Sequence, residues 1–349
     1  MLINFIQYIG GAFLGWGLGA NDSANVFGTA VSSRMVSYKL AIILTAIFVV
    51  IGAVMQGEAG IETLSKKLRN TDYVASTTNL HSIPLSHEQI AKQNIIASAR
   101  AKQVAMVVSF SAALTVVIMT LLKIPVSTSQ AVVGSIIGVG LIQDNVNVSG
   151  LGKVIACWFG TPIGAALFTI VFYYFFRAIL KKWNPSVFVY DPVITFLLII
   201  CGCYGAYALG ANNVANVSAI FVGEEDGMLT TKQAAWFGSL VIAFGAISYS
   251  KPVMMTVGKG IVKLDSFTAF ICVLAHAVTV HLYAIIGVPV STSQAIVGAI
   301  LGIGLIKGVH VINYRMLRNV TLGWMATPFF AAFFAALGYF MVNLHYQPI

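Results

Sequence analysis

The sequence predicts an all-α, polytopic membrane protein made of two inverted-topology repeats, with about ten membrane segments, broken helices and paired short half-helix or hairpin segments. Three observations carry this reading: charge is scarce, apolar runs recur along the chain, and the chain repeats itself. Of 349 residues, 58% are hydrophobic and only 9% are charged, and the mean hydropathy is +0.88. A soluble domain carries about 25% charged residues, so this chain lacks the polar side chains to cover itself in water. Its apolar runs reach the roughly 20 residues a helix needs to cross a bilayer. The net charge of +9 is then better read as a topology signal than as a nucleic-acid signal, because Lys and Arg in loops set membrane orientation.

The repeat is explicit. Pro125-Val-Ser-Thr-Ser-Gln-Ala-Val-Val-Gly-Ser-Ile-Ile-Gly-Val-Gly-Leu141 returns as Pro289-Val-Ser-Thr-Ser-Gln-Ala-Ile-Val-Gly-Ala-Ile-Leu-Gly-Ile-Gly-Leu305, identical at 13 of 17 positions. Upstream, Leu18-Gly-Ala-Asn-Asp-Ser-Ala-Asn25 returns as Leu209-Gly-Ala-Asn-Asn-Val-Ala-Asn216, and downstream Trp158-Phe-Gly-Thr-Pro162 is echoed by Trp324-Met-Ala-Thr-Pro328. Three matches in one order indicate duplication, with residues 1–182 as the first copy and 183–349 as the second. The first pair of motifs is 191 positions apart and the second 164. The first copy therefore holds about 27 extra residues between its motifs, in a long polar loop over 66–102 that is expected to be partly helical near Glu88 to Lys102.

Each copy offers five apolar segments, near 2–31, 38–56, 103–122, 126–143 and 154–177, then near 192–222, 234–249, 266–288, 290–306 and 319–343. Five is odd, so the second copy is expected to be inverted. Loop charges agree: Arg34 and Lys39 follow the first segment, whereas Glu224, Glu225 and Asp226 follow its counterpart. Lys307, Arg315 and Arg318 contrast in the same way with Asp144 and Lys153, and these biases place both termini outside. The 66–102 loop, expected outside yet holding six Lys and Arg, runs against the trend. With Arg34 as its first basic residue, the apolar N-terminus lacks the flank of a cleavable signal peptide and is expected to serve as the first transmembrane helix. Four cysteines inside apolar stretches read as inert thiols, with neither a zinc spacing nor a disulfide framework.

The fourth segment of each copy opens with Pro and then places Ser127, Thr128, Ser129 and Gln130, or Ser291, Thr292, Ser293 and Gln294, where a half-helix would begin. Proline suits a helix start and Ser or Thr caps its free N–H groups. Such an end binds anions without a permanent cation, and interrupted segments at matching places in two halves point to a transporter's midplane site. These eight residues are the candidate substrate-binding set. Gly134, Gly138, Gly298 and Gly302, and the stripe Gly11, Gly15, Gly19, read as close-packing seams.

Asn21, Asp22 and Asn25 lie within an apolar run and cluster on one helical side. A carboxylate there costs roughly 2.5–3.5 kcal/mol on insertion scales, so a function is expected of it. Carboxylate and amide oxygens suit a small hard cation. The second copy keeps the amides as Asn212, Asn213 and Asn216 but has no acid, so the two half-sites are expected to differ electrostatically. These six residues are the candidate cation set, with Na⁺ expected at Asp22, Asn21, Asn25, Asn212 and Asn216. His276 and His281 could relay protons but read more simply as satisfied core histidines. Glu58, Glu62, Lys251 and Lys259 read as interfacial or gating groups.

The Gly19-Ala-Asn-Asp-Ser-Ala-Asn25 motif, continuing into Gly28-Thr-Ala-Val31, and the two Pro-Val-Ser-Thr-Ser-Gln segments resemble the inorganic phosphate transporter family called PiT. The resemblance covers both halves apart from the long loop. It implies a cation-coupled phosphate symporter of the inner or plasma membrane, using Na⁺ in some members and H⁺ in others, with a sulfate-carrying branch and a dimeric habit. Carried over by position, its binding elements fall on the two Asn groups and the two Ser-Thr-Ser-Gln groups named above. Asn213 departs from the family, where Asp is common.

With no Lys or Arg in the motif segments, dipoles and co-bound cations must offset the anion's charge, which is a physical basis for symport. The amides favour Na⁺, since one carboxylate alone is available to carry protons. The expectation is a Na⁺-coupled phosphate symporter, phosphate lying between the half-helices, with one copy rocking against the other. An H⁺-coupled phosphate or sulfate permease and an anion channel are the alternatives. No nucleophile and base pair, His-rich metal spacing or phosphate loop suggests an enzyme, and no cofactor beyond the co-transported ion, nor any nucleic acid, is expected.

Overall fold

The computed structural model describes residues 2–69, 87–124, 126–143, 148–223 and 228–345. Twelve α-helices run through them: α1 (Leu2–Ser32), α2 (Tyr38–Gln56), α3 (Glu58–Arg69), α4 (His87–Leu121), α5 (Thr128–Ile142), α6 (Val148–Trp183), α7 (Val187–Ser218), α8 (Thr231–Tyr249), α9 (Lys251–Gly260), α10 (Ser266–Ile286), α11 (Thr292–Lys307) and α12 (Tyr314–His345). Among the described residues the sole β pairing is an isolated bridge between Val222 and Leu229. Among the described residues, six helices are long and apolar enough to cross a membrane. On α6 the row Phe159, Ile163, Leu167 and Val171 is exposed, and so is the row Met325, Phe329 and Phe333 on α12. Apolar stripes of that length facing outward suit lipid rather than water, and the chain is a multi-pass membrane protein.

The ten apolar segments all become helix, and two short helices join them. α3 and α9 follow α2 and α8 and begin at Glu58 and Lys251, two of the candidate gating groups. Lys251 lies over the Tyr38 ring, 5.5 Å from its centre. Of the 66–102 loop, residues 66–69, at the end of α3, and 87–102, on α4, are helical, which meets the expectation near Glu88; residues 70–86 lie outside the described set.

The third and fourth segments of each copy fold back on one another. In the first copy, Val107 and Val108 of α4 cluster with Val139 of α5 at the open end, while Val116 and Met119 cluster with Val126 and Ala131 at the tip. In the second, Asp265 at the start of α10 and Lys307 at the end of α11 form a 2.6 Å ion pair. Each pair is thus a helical hairpin. Gly287 closes α10 in the left-handed region at φ 72° and begins the turn to the tip, a conformation open to a residue without Cβ. Counting a hairpin as no crossing leaves α1, α2 and α6 in the first copy, still an odd number.

The copies interlock. α1, α2, α3, α7, α8 and α9 pack together as a central panel, and two lobes flank it, one of α4, α5 and α12 and one of α6, α10 and α11. Each lobe therefore takes helices from both copies. The glycines show how closely these join. A methyl at Gly134 or Gly138 would overlap the Pro328 or Ala332 carbonyl oxygen of α12, and one at Gly298 or Gly302 would meet that of Pro162 or Ala166 on α6. In the panel, Gly19 meets the Ile242 carbonyl and Gly210 the Val49 carbonyl. The glycine seams expected for packing are packing seams, and each contact has its counterpart in the other copy.

Candidate functional site

Both half-helices begin deep in the protein. Ser127 caps α5 by accepting a hydrogen bond from the Gln130 N–H at 3.3 Å, and Ser291 caps α11 in the same way from Gln294 at 3.2 Å. The capping hydroxyls also bond to the next serine, Ser127 with Ser129 at 3.2 Å and Ser291 with Ser293 at 3.0 Å. The remaining N–H groups of each first turn have no carbonyl within their own helix. All eight residues of the two Ser-Thr-Ser-Gln groups, and all six of the Asn and Asp groups, are at most 4% exposed. These side chains are therefore shielded from solvent.

Asn21 and Asn212 hold the hairpin tips. The Asn21 amide donates to the Ile124 carbonyl (3.2 Å) and to Thr120 Oγ1 (3.0 Å), and its oxygen accepts from the Val126 N–H (3.0 Å). The Asn212 amide donates to the Val288 carbonyl (3.0 Å) and accepts from the Val290 N–H (2.9 Å). Each side chain thus takes the carbonyl before the motif proline and the N–H after it. A proline offers no N–H of its own, and the amide bridges that break in the backbone. Both ends of these two amides are engaged, which leaves each oxygen one lone pair for any cation.

Asp22 and Asn25 reach the helix starts instead. Thr128, the first residue of α5, donates to Asp22 Oδ2 at 3.3 Å, while Thr292 is the first residue of α11. Asn25 donates to Thr292 Oγ1 at 3.2 Å. One motif on α1 therefore contacts both half-helices. In the second copy, Asn216 turns back on Asn213, donating to its oxygen at 3.0 Å.

Several buried polar atoms have no partner among the described residues. Four are acceptor oxygens of the site: Asp22 Oδ1, Asn25 Oδ1, Gln130 Oε1 and Gln294 Oε1. The Ser23 and Thr29 hydroxyls are also unpartnered, as are three donors, Asn213 Nδ2, Trp158 Nε1 and Trp324 Nε1. Leaving one such group buried costs about 1–3 kcal/mol. The acceptors fit a bound cation or a protonated oxyanion, and the donors fit an anion's oxygens. Among the described residues, no three or more His, Cys, Asp and Glu gather as a metal centre, so the oxygens on offer to a cation are amide and hydroxyl oxygens around one carboxylate.

The two histidines differ. His281 is satisfied as expected, by Tyr204 at 2.6 Å and Gln56 at 2.7 Å, and Tyr207 also donates to Gln56 at 3.0 Å. His276 is fully buried with neither ring nitrogen partnered among the described residues, so the satisfied-core reading does not describe it. Sequence reasoning missed the polar net of Gln56, Tyr204 and Tyr207, since these side chains lie on two helices and show no spacing pattern. It also missed the tip-holding role of Asn21 and Asn212.

A polar centre buried where two broken-helix hairpins meet, inside an apolar helical shell, defines a membrane transporter rather than an enzyme. Residues 18–335 match the phosphate transporter family, and the chain belongs to it. A candidate phosphate permease of Methanocaldococcus jannaschii is 29% identical over 90% of this chain and 89% of that one. Candidate phosphate permeases of Thermococcus kodakarensis and Haemophilus influenzae are 26% and 25% identical, each match covering at least 95% of both chains. A solved structure described as the sodium-dependent phosphate transporter superposes with a TM-score of 0.78 over 99% of this chain and all of that one; at 21% identity it speaks for the fold.

Proposed function

We propose that the protein is a Na⁺-coupled inorganic phosphate symporter of the cell membrane, working by alternating access. Phosphate lies between the N-termini of α5 and α11, held by Ser127, Thr128, Ser129 and Gln130 from one side and Ser291, Thr292, Ser293 and Gln294 from the other. Na⁺ binds beside it at Asp22 and Asn25, with the free lone pairs of Asn21 and Asn212 and the amides of Asn213 and Asn216 as lesser contributors. The observation that carries this reading is the set of four buried, unpartnered acceptor oxygens around the two helix starts. A small cation joins those acceptors to an anion whose own charge no Lys or Arg of the motifs offsets. The likeness to a solved sodium-dependent phosphate transporter supports the choice of Na⁺.

The copies, 1–182 and 183–349, are inverted in the membrane and the protein works as a homodimer. Their interlocking favours motion of the mixed lobes against the central panel over one whole copy rocking against the other, because α5 is seated on α12 and α11 on α6. Uptake of labelled phosphate into proteoliposomes, with excess sulfate, arsenate or chloride as competitor, tests the substrate. Arsenate is expected to inhibit and sulfate and chloride are not; strong inhibition by sulfate without inhibition by arsenate would make the protein a sulfate carrier.

A further inference from the structure

The repeated Trp-x-x-Thr-Pro motif has no place in the reading above, yet its two tryptophans share an unusual state. Trp158 Nε1 and Trp324 Nε1 are both buried and both without a partner among the described residues. A buried N–H normally finds an acceptor, and each exception calls for a reason. Two exceptions at equivalent positions of a duplicated motif share one reason more simply than two.

The register of the lobes says where these residues stand. On α12, Pro328 meets Gly134, Ala332 meets Gly138, Ala331 accepts from Ser135 and Tyr339 accepts from Gln143. The two helices therefore run side by side in the same direction, and one turn earlier Trp324 is level with Gln130. On α6, Pro162 meets Gly298 and Ala166 meets Gly302, which sets Trp158 level with Gln294. Each indole thus stands level with the turn where a half-helix begins, and with a glutamine whose Oε1 is itself unpartnered. The Pro162 and Pro328 carbonyls fill the notches left by Gly298 and Gly134.

We infer that Trp158 and Trp324 are further substrate-binding residues, each donating its indole N–H to an oxygen of the oxyanion held between the half-helices. The inference deepens the proposed function and rests on it for the identity of the anion. An indole N–H is a donor only, so the pair selects an acceptor-rich ligand and adds no charge to a site that a cation already enters. It also offers little to a cation, so the two roles separate in experiment.

The test uses Trp158→Phe and Trp324→Phe, which keep an aromatic ring and remove the donor, in proteoliposomes. Each is expected to raise the KM for phosphate by about five- to tenfold, the loss of one good hydrogen bond, with half-saturating Na⁺ within twofold of the wild type. In parallel, wild-type protein labelled with ¹⁵N at the indoles of its five tryptophans is titrated with phosphate in Na⁺. Two indole signals, absent from the respective Phe variants, are expected to shift, and this readout stands even where a variant folds poorly. Unchanged KM in both variants, or shifts confined to the other three indoles, overturns the inference. Absence of phosphate uptake by the wild type would instead refute the proposed function, and the indole signals would then be titrated with sulfate to test the donors on that anion.

Discussion

The two copies carry nearly the same motif and use it differently. On α1, Asp22 and Asn25 extend to Thr128 and Thr292 and join both half-helices. On α7, the matching Asn213 and Asn216 bond to each other, three residues apart on one helix. Asn213 carries one acceptor oxygen and a donor where Asp22 carries two acceptor oxygens and no donor. Among the described residues the α1 motif is left with spare acceptors, Asp22 Oδ1 and Asn25 Oδ1, and the α7 motif with a spare donor, Asn213 Nδ2. In the function proposed above, the α1 motif is accordingly the main cation half-site.

The sharpest way to break that comparison is to exchange the residues. Asp22→Asn is expected to lower Na⁺-driven phosphate uptake by a hundredfold or more, since it removes the site's one charge. Asn213→Ala is expected to lower it no more than about fivefold, the scale of one hydrogen bond. Equal, mild effects in proteoliposome uptake would remove Asp22 from the mechanism. Asn21 and Asn212, by contrast, hold the backbone on either side of their hairpin prolines alike, Asn21 with a further bond to Thr120, so substituting either is expected to act in the same direction. Asn21→Asp and Asn212→Asp lose the bond donated to Ile124 or Val288 and are expected to raise the KM for phosphate about tenfold. Tighter Na⁺ activation without a change in KM for phosphate would show that cation contact, not fastening of the tip, is the main role of that residue.

A smaller effect is expected from the caps. Ser127→Ala and Ser291→Ala each remove about 1 kcal/mol of N-capping and should raise the KM for phosphate severalfold; no change in both would undercut the half-helix site. The smallest concerns the base of the second hairpin. Burial pushes the Asp265 carboxyl up, but the bond and charge of Lys307, with those from Thr268, hold it on balance below the usual carboxylate range. A depressed folded-state value means the pair stabilises above the ordinary carboxylate pKa and that this contribution fades as pH falls through the folded value. Because both partners are partly exposed, Lys307→Met should cost at most about 1 kcal/mol at neutral pH. Thermal unfolding measured at pH 7 and in acid checks this.

Much of the site was legible because its chemistry is local. Proline followed by Ser-Thr-Ser-Gln specifies a capped helix start wherever it falls, and both predicted half-helices begin there. What Asn21 does was not legible, because its partners are Thr120, Ile124 and Val126, about a hundred positions away, and nothing local separates it from Asp22 beside it. The hairpins were legible as short segments but not as folded-back pairs, since an apolar run of the length of α10 fits a crossing equally well. The glycine spacing at Gly134 and Gly138 announces a close neighbour without naming it, so the seating of α5 on α12, and with it the interlocking of the copies, emerges from three-dimensional packing alone.

The central claim is that a cation bound at Asp22 is carried together with the anion. Labelled phosphate uptake into proteoliposomes under an inward Na⁺ gradient alone, and then under an inward proton gradient alone, tests it most directly. The expected result is accumulation above equilibrium with the Na⁺ gradient, none with the proton gradient, and loss of accumulation in Asp22→Asn. Uptake driven by the proton gradient alone, or flux indifferent to both gradients as in a channel, would contradict it.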